Sequence, residues 1–246
     1  MRLIKNDLEI RKHEAENYVQ SIKSIEQGNF VTEDTSINRT QLLTSMKSSV
    51  LIMLYNAIES IITRCLSKVY EVIKQSTIKY NELTPDIQKI VLVYYENAIL
   101  NCSDTNGKAS LKFEEIELIN GNNDFMFSFD DISKNYSMYS GNLDSKQIKK
   151  IFEKHGVTFE KKCSEAQTIK DYRNQLAHGE MSFEEGGRDV SSQQLDVYCE
   201  KIFDYLDIVI DEFIDYVEHK KFKKTRLCEK ISVNSKTVIK VIYWSD

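Results

Sequence analysis

A single proline, Pro85, interrupts 246 residues, and glycine occurs only eight times. Breakers this sparse exclude a turn-rich all-β fold and favour long helices. Cysteine is scarce and scattered: Cys65, Cys102, Cys163, Cys199 and Cys228, with no CxxC pair. An odd count at wide spacing argues against a disulfide framework and against a zinc site. It fits a reducing cytoplasm, which is the expected location. Long apolar runs are missing as well. The longest, "VLIMLY" from Val50 to Tyr55, falls far short of the roughly 20 residues that span a bilayer. Met1 leads straight into charged residues, so neither a signal peptide nor a membrane partner is expected. Positive charge is in deficit: 33 Lys and Arg face 38 Asp and Glu, for a net charge of -5. The surface as a whole therefore does not attract nucleic acid. Any nucleic-acid site must be a local basic patch whose binding is salt-sensitive.

What the chain does have is helical periodicity. Apolar residues supply 41% and charged residues 29%, the balance of a soluble globular protein with a sizeable core. From Lys5 to Gln27, the apolar residues Leu8, Ala15, Tyr18, Val19, Ile22 and Ile25 recur at helical spacing. "GNFVTEDTSINRT", Gly28 to Thr40, reads as a polar connection. Gln41 to Lys74 lacks Gly and Pro and is apolar over a wide arc, which predicts a central helix contacted from several sides. Thr84-Pro85-Asp86 reads as the start of a helix reaching about Leu100. Asn101 to Ser110 reads as a loop, and Leu111 to Tyr139 shows little periodicity.

A short helix opens near Asp144 or Ser145 and ends at Gly156; another runs from Ser164 to His178, with Gly179 as its C′ residue. "SFEEGGRDVSS" reads as a loop, and Ser192 to His219 as a long amphipathic helix. The β-branched alternation of "KTVIKVIYW", Lys236 to Trp244, fits one short strand. The expectation is a single all-α domain over residues 1–246, built from long antiparallel helices. It includes a small irregular insertion at about 102–140 and a C-terminal extension at about 221–246.

The chemistry concentrates in "DYRNQLAHGEMSF", Asp171 to Phe183. On a helix, residues four apart share a face, so Asn174 lies under His178. Arg173 is five before His178, about 140° round the axis. One helix does not aim both groups at one point. Either Arg173 reaches round, or two copies of the helix meet. His178 ends the helix beside unpaired carbonyls, whose partial negative charge favours imidazolium. Such a group can take a proton from a ribose 2′-hydroxyl or give one to a leaving 5′-oxygen. A guanidinium matches phosphate oxygens in a fork, so Arg173 can steady developing charge. Asn174 can orient the imidazole or the phosphate. Together they support RNA cleavage through the 2′-OH, with no metal or other cofactor required. Capping and dipole effects alone would also place Arg, Asn and His at a helix C-terminus.

"RNQLAH", Arg173 to His178, resembles the Arg-x4-6-His motif of the HEPN superfamily (higher eukaryotes and prokaryotes nucleotide-binding). The likeness extends to "YSGNLDSKQIKKIFEKHGV", "IKDYRNQLAHGEMSFEEGGRDVSSQQL", "RKHEAENYVQSI" and "LTSMKSSVLIMLYNAIES", spanning residues 5 to 220 and fitting a bacterial nuclease branch. The resemblance implies a HEPN-like helical bundle. It also implies a metal-independent endoribonuclease that dimerises so that two motifs face each other. Arg173 and His178 are the motif residues, and Asn174 holds the polar position after the Arg. A role as a toxin or anti-phage effector follows, with an antitoxin or another co-encoded regulatory protein as a partner. The alternative is a non-catalytic dimerisation or nucleotide-binding module acting through a partner protein.

Other residues carry weaker signals. Glu59, among apolar neighbours in the central helix, is read either as a carboxylate bonded to the Arg173 region or as a partly exposed edge residue. Lys170 is read as an RNA-backbone contact or, more simply, a solvated lysine. Glu180 and Arg188 are expected to order the following loop. His13, His155 and His219 are expected at the surface. "HKKFKKTR", His219 to Arg226, could contact phosphates or be a solvated helix end.

Overall fold

The structure is a computed structural model that describes residues 1–29, 38–139, 141–225, 227–233 and 236–242. Most of the polar connection at Gly28 to Thr40, and the ends of the basic and C-terminal segments at Arg226, Tyr243 and Trp244, lie outside the described residues. The fold is helical. Its helices are α1 (Arg2–Glu26), α2 (Arg39–Gln75), α3 (Pro85–Asn101), α4 (Thr105–Ile119), α5 (Phe129–Asn135), α6 (Ser145–Lys154), α7 (Ser164–His178), α8 (Phe183–Arg188) and α9 (Ser192–Glu218). A C-terminal hairpin follows, with β1 (Leu227–Val233) antiparallel to β2 (Lys236–Ile242) and the register running from Leu227 opposite Ile242 to Val233 opposite Lys236.

The chain divides into two compact units. The first comprises residues 1–70, 137–153 and 157–215. Residues 39–70 of α2 are its spine, with Val50, Leu51, Leu54, Ile58, Ile61 and Leu66 all fully buried. By length and composition α2 is apolar enough to cross a membrane, yet 56% of its most apolar window is buried inside the protein. A wide apolar arc of this kind is what packing on several sides requires. Polar ties run round the spine: Lys47 pairs with Glu26 at 2.9 Å, Ser192 Oγ donates to Glu26 at 2.6 Å, and Arg64 pairs with Asp7 at 3.1 Å. Phe152 of α6 packs against Phe159 and against Phe213 of α9, with ring centroids 4.5 and 4.6 Å apart.

The second unit comprises residues 71–136, 154–156 and 216–246. Here α3 begins with Pro85 at its first turn, where the missing N–H costs nothing. The expected irregular insertion is largely helical. Asp104 caps α4 by accepting from Gly107 N–H at 2.6 Å, and Ser128 with Asp131 forms a capping box on α5. Periodicity failed there for a physical reason. In α4 only Leu118 is buried, while Phe113, Ile116 and Ile119 are exposed, so its apolar residues do not mark an inward stripe. Tyr94, Tyr95, Phe125 and Phe127 meet edge to face instead. The expected single strand is a two-stranded hairpin, because "LCEKISV" supplies a partner for "KTVIKVI". His155, expected at the surface, is 2% exposed and meets the Tyr216 ring edge-on.

Candidate functional site

The motif helix α7 is held by three buried residues, Ala166, Ile169 and Leu176. Its end is sharply defined. Gly179 adopts φ 71°, Glu180 N–H reaches Gln175 O at 2.9 Å, and Gly179 N–H reaches Leu176 O at 3.4 Å. That is the pairing of a Schellman motif, in which a glycine takes the left-handed position at least cost. His178 is therefore the last helical residue, and its side chain is exposed.

The next four residues turn the chain into α8, which lies against the start of α2. Ser48 Oγ donates to Phe183 O at 2.7 Å. Gly187 makes the approach close: a Cβ there would sit 1.7 Å from Thr44 O. "SFEEGGRDVSS" is thus not only a loop but a capped short helix. Ser182 accepts from Glu185 N–H, and Arg188 pairs with Glu184 at 2.6 Å. Glu180 is exposed.

Arg173 is half-buried and stacks on α2. Its guanidinium carbon lies 4.6 Å from the centroid of the Tyr55 ring, and Nη1 donates to Asn174 Oδ1 at 3.1 Å. A cation over an aromatic face keeps its charge while losing rotational freedom. Tyr55 is itself fully buried and fixed. Its hydroxyl accepts from Leu143 N–H at 3.2 Å and shares its one proton between Gly141 O at 2.7 Å and Glu59 Oε1 at 3.0 Å. Burial, more than the Glu59 charge and against the pull of Leu143 N–H and Arg173, pushes this phenol up to about 12. It stays neutral at any working pH. Glu59 thus reaches the Arg173 neighbourhood through Tyr55. Asn174 holds Arg173, not the imidazole.

One turn earlier, Lys170 is no solvated lysine. Its Nζ lies 2.6 Å from Asp144 Oδ2, with the two side chains 16% and 6% exposed. Asp144 also accepts Gln147 N–H at 2.8 Å, capping α6. Burial works to raise the Asp144 carboxyl, but Lys170 and the α6 amides outweigh it and hold it below the ordinary value. Lys170 is therefore spent on fastening α7 to the start of α6. The same segment that covers Tyr55, residues 141–144, is pinned at both edges.

The structure joins Arg173, Asn174, Tyr55, Glu59, Lys170 and Asp144 into one contiguous set, through direct contacts and residues 141–144. His178 makes no hydrogen bond or ion pair with any of them. Two shallow grooves lie near the helix end. One, about 250 Å³, is lined by Thr168, Asp171, Tyr172, Gln175 and Met181; the other, about 330 Å³, by Glu180, Met181, Glu185, Arg188 and Asp189. Neither is lined by Arg173 or His178. Tyr55 and Asp144 went unremarked as site residues in the sequence. The signals were present: Tyr55 stands four before Glu59, and Asp144 sits in a capping position before "SKQI".

The chain belongs to the MAE_28990-like HEPN family, whose model matches residues 2–222. Membership fits a nuclease-type or HEPN-module function. No curated protein and no solved structure matches it.

Proposed function

We propose that the protein is a metal-independent endoribonuclease of HEPN type, acting as a homodimer in the cytoplasm. The observation that carries this reading is the division of labour on α7: Arg173 is pinned against Tyr55 and Asn174, while His178 stands exposed on the last turn. A fixed cation can bind a phosphate whose charge grows, and an accessible imidazole can move a proton. His178 accepts the 2′-hydroxyl proton. The 2′-oxygen attacks phosphorus, and the bond to the 5′-oxygen breaks as that oxygen takes up a proton. Arg173 stabilises the extra negative charge on the non-bridging oxygens, and Asn174 orients the guanidinium. The products are a 2′,3′-cyclic phosphate and a 5′-hydroxyl. DNA, lacking the 2′-OH, is not a substrate for this route. A second copy laid across α7 would bring the two groups to one phosphate, which a single helix with about 140° between them does not do. The role is that of a toxin or anti-phage effector restrained by a co-encoded protein.

The test is incubation of purified protein with total RNA in EDTA, beside His178→Ala. Cleavage by the wild type alone, leaving 2′,3′-cyclic ends, supports the enzyme. If neither protein cuts any RNA class while both remain folded dimers, the catalytic reading is wrong. The chain is then a HEPN module whose motif serves assembly.

A further inference from the structure

The second unit holds a cavity built from rings and carboxylates. Tyr94 and Tyr95 stand on α3, Glu114 and Leu118 on α4, and Phe127 in the connection between α4 and α5. Glu114 and Leu118 are four apart and share a face of α4. The connection is held in place along its length. It turns at Gly121, whose φ is 76°, and Asn122 N–H returns to Glu117 O at 2.9 Å. Phe125 N–H then donates to Ile78 O at 2.9 Å, and Asp124 pairs with Lys79 at 2.7 Å. Phe125 is fully buried, whereas its neighbour Met126 is 56% exposed.

The cavity measures about 480 Å³, a size that takes a small organic group. Three of its rings stand on steeply inclined planes: Tyr94 to Tyr95 at 75°, Tyr94 to Phe127 at 65° and Tyr95 to Phe127 at 84°, with centroids 5.2, 5.0 and 5.8 Å apart. The charged side chains of the lining are Glu114, Asp124 and Asp131, all acids. Lys79 and Lys134 answer the last two from outside the lining, at 2.7 and 3.2 Å. Both lysines are exposed enough to water for these pairs to be weak. Glu114 makes no hydrogen bond or ion pair with any described residue. Nor does the Tyr95 hydroxyl hydrogen-bond to any of them, although Tyr95 is only 5% exposed. Burial, and next the Glu114 charge, push this phenol up, so it stays protonated. A hydroxyl so deeply placed and without a partner is uncommon and costly, and it shares the cavity with an unpaired carboxylate.

We propose that this pocket binds an organic cation, an ammonium or guanidinium head carried on an apolar stem. Ring faces carry negative charge and attract cations, and the lining carboxylates repel phosphates and carboxylates. Among the described residues no three His, Cys, Asp or Glu are placed to hold a metal ion, which leaves an organic head. Such a head has only donors. Glu114 and the Tyr95 oxygen supply the acceptors, the rings receive the charge, and Leu118 and Met126 receive the stem. The head can come from a free amine or from an arginine or lysine side chain of a bound protein. The pocket lies wholly in the second unit and the motif helix in the first, so the proposal does not rest on the ribonuclease reading.

The test is calorimetric titration of the full-length protein with three probes: cadaverine, N-acetyl-arginine amide and its uncharged isostere N-acetyl-citrulline amide. Saturable binding of either cation, with none of the citrulline probe, is expected. Cadaverine alone would assign the pocket to a free amine, and the arginine probe alone to a protein side chain. Glu114→Gln should weaken the cation by about 2- to 5-fold, and Tyr94→Leu by about 2- to 30-fold. Tyr95→Phe should weaken it without lowering the melting temperature, because the hydroxyl it removes has no partner in the free protein. Glu114 is exposed, so its variant stays informative should Tyr94→Leu melt early. Binding of neither cation overturns the proposal. So does citrulline binding as tight as arginine, or an affinity that Glu114→Gln and Tyr95→Phe leave unchanged.

Discussion

Replacing Tyr55 separates what its ring does from what its hydroxyl does. The ring lies 4.6 Å from the Arg173 guanidinium, and the hydroxyl is bonded to Leu143 N–H, Gly141 O and Glu59. Tyr55→Phe keeps the ring but leaves Leu143 N–H buried without an acceptor, which costs about 1–3 kcal/mol of stability. Arg173 keeps its platform, so kcat/KM for RNA cleavage is expected to hold. Tyr55→Leu removes the platform. A partly desolvated cation–π contact is worth about 0.5–2 kcal/mol. If that energy serves to hold Arg173 at the transition state, the loss lowers kcat/KM by about 2- to 30-fold. Stability falls as well, by more than in the Phe variant, because the smaller side chain also leaves a cavity. The assay is cleavage of a quenched fluorescent RNA at substrate well below KM, beside a urea unfolding curve for each variant. Equal rates in the Phe and Leu variants would refute the idea that the ring positions Arg173. A rate loss that simply tracks stability would do the same.

Two further outcomes concern the frame around the motif. Lys170→Met strands a carboxylate whose side chain is 6% exposed, for a cost of about 3 kcal/mol near neutral pH. Asp144 is held below its ordinary 3.8, so the pair stabilises the fold above that value and its contribution fades as pH drops through the lowered one. The gap in melting temperature between wild type and Lys170→Met should therefore narrow on acidification below 3.8, and a gap independent of pH would count against the pair. Gly187→Ala would place a methyl 1.7 Å from Thr44 O, backbone that cannot swing aside. It is expected to cost on the order of 3 kcal/mol and to speed proteolysis across residues 179–190. An unchanged denaturation midpoint would show that α8 is not seated where it is described.

Scarce proline and glycine, together with periodic apolar residues, determined that the chain is helical and where its long helices lie. This information is local: a stripe at helical spacing specifies a helix whatever it packs against. Gly179 was equally legible, since a left-handed residue after a helix is a property of a few bonded neighbours. The motif pair Arg173 and His178 was also readable as chemistry. What each side chain touches was not. Tyr55 was no more than the end of an apolar run, Lys170 read as an RNA-backbone contact or a solvated lysine and His155 as surface, and each took its role from a residue distant in sequence: Arg173, Asp144 and Tyr216. Only tertiary structure decided that Gly187 lies against a backbone carbonyl, and that lysines at 220–224 meet Lys89 in one groove. Contacts between distant segments depend on how helices pack, and that depends on the fit of whole surfaces, which no short stretch of sequence encodes.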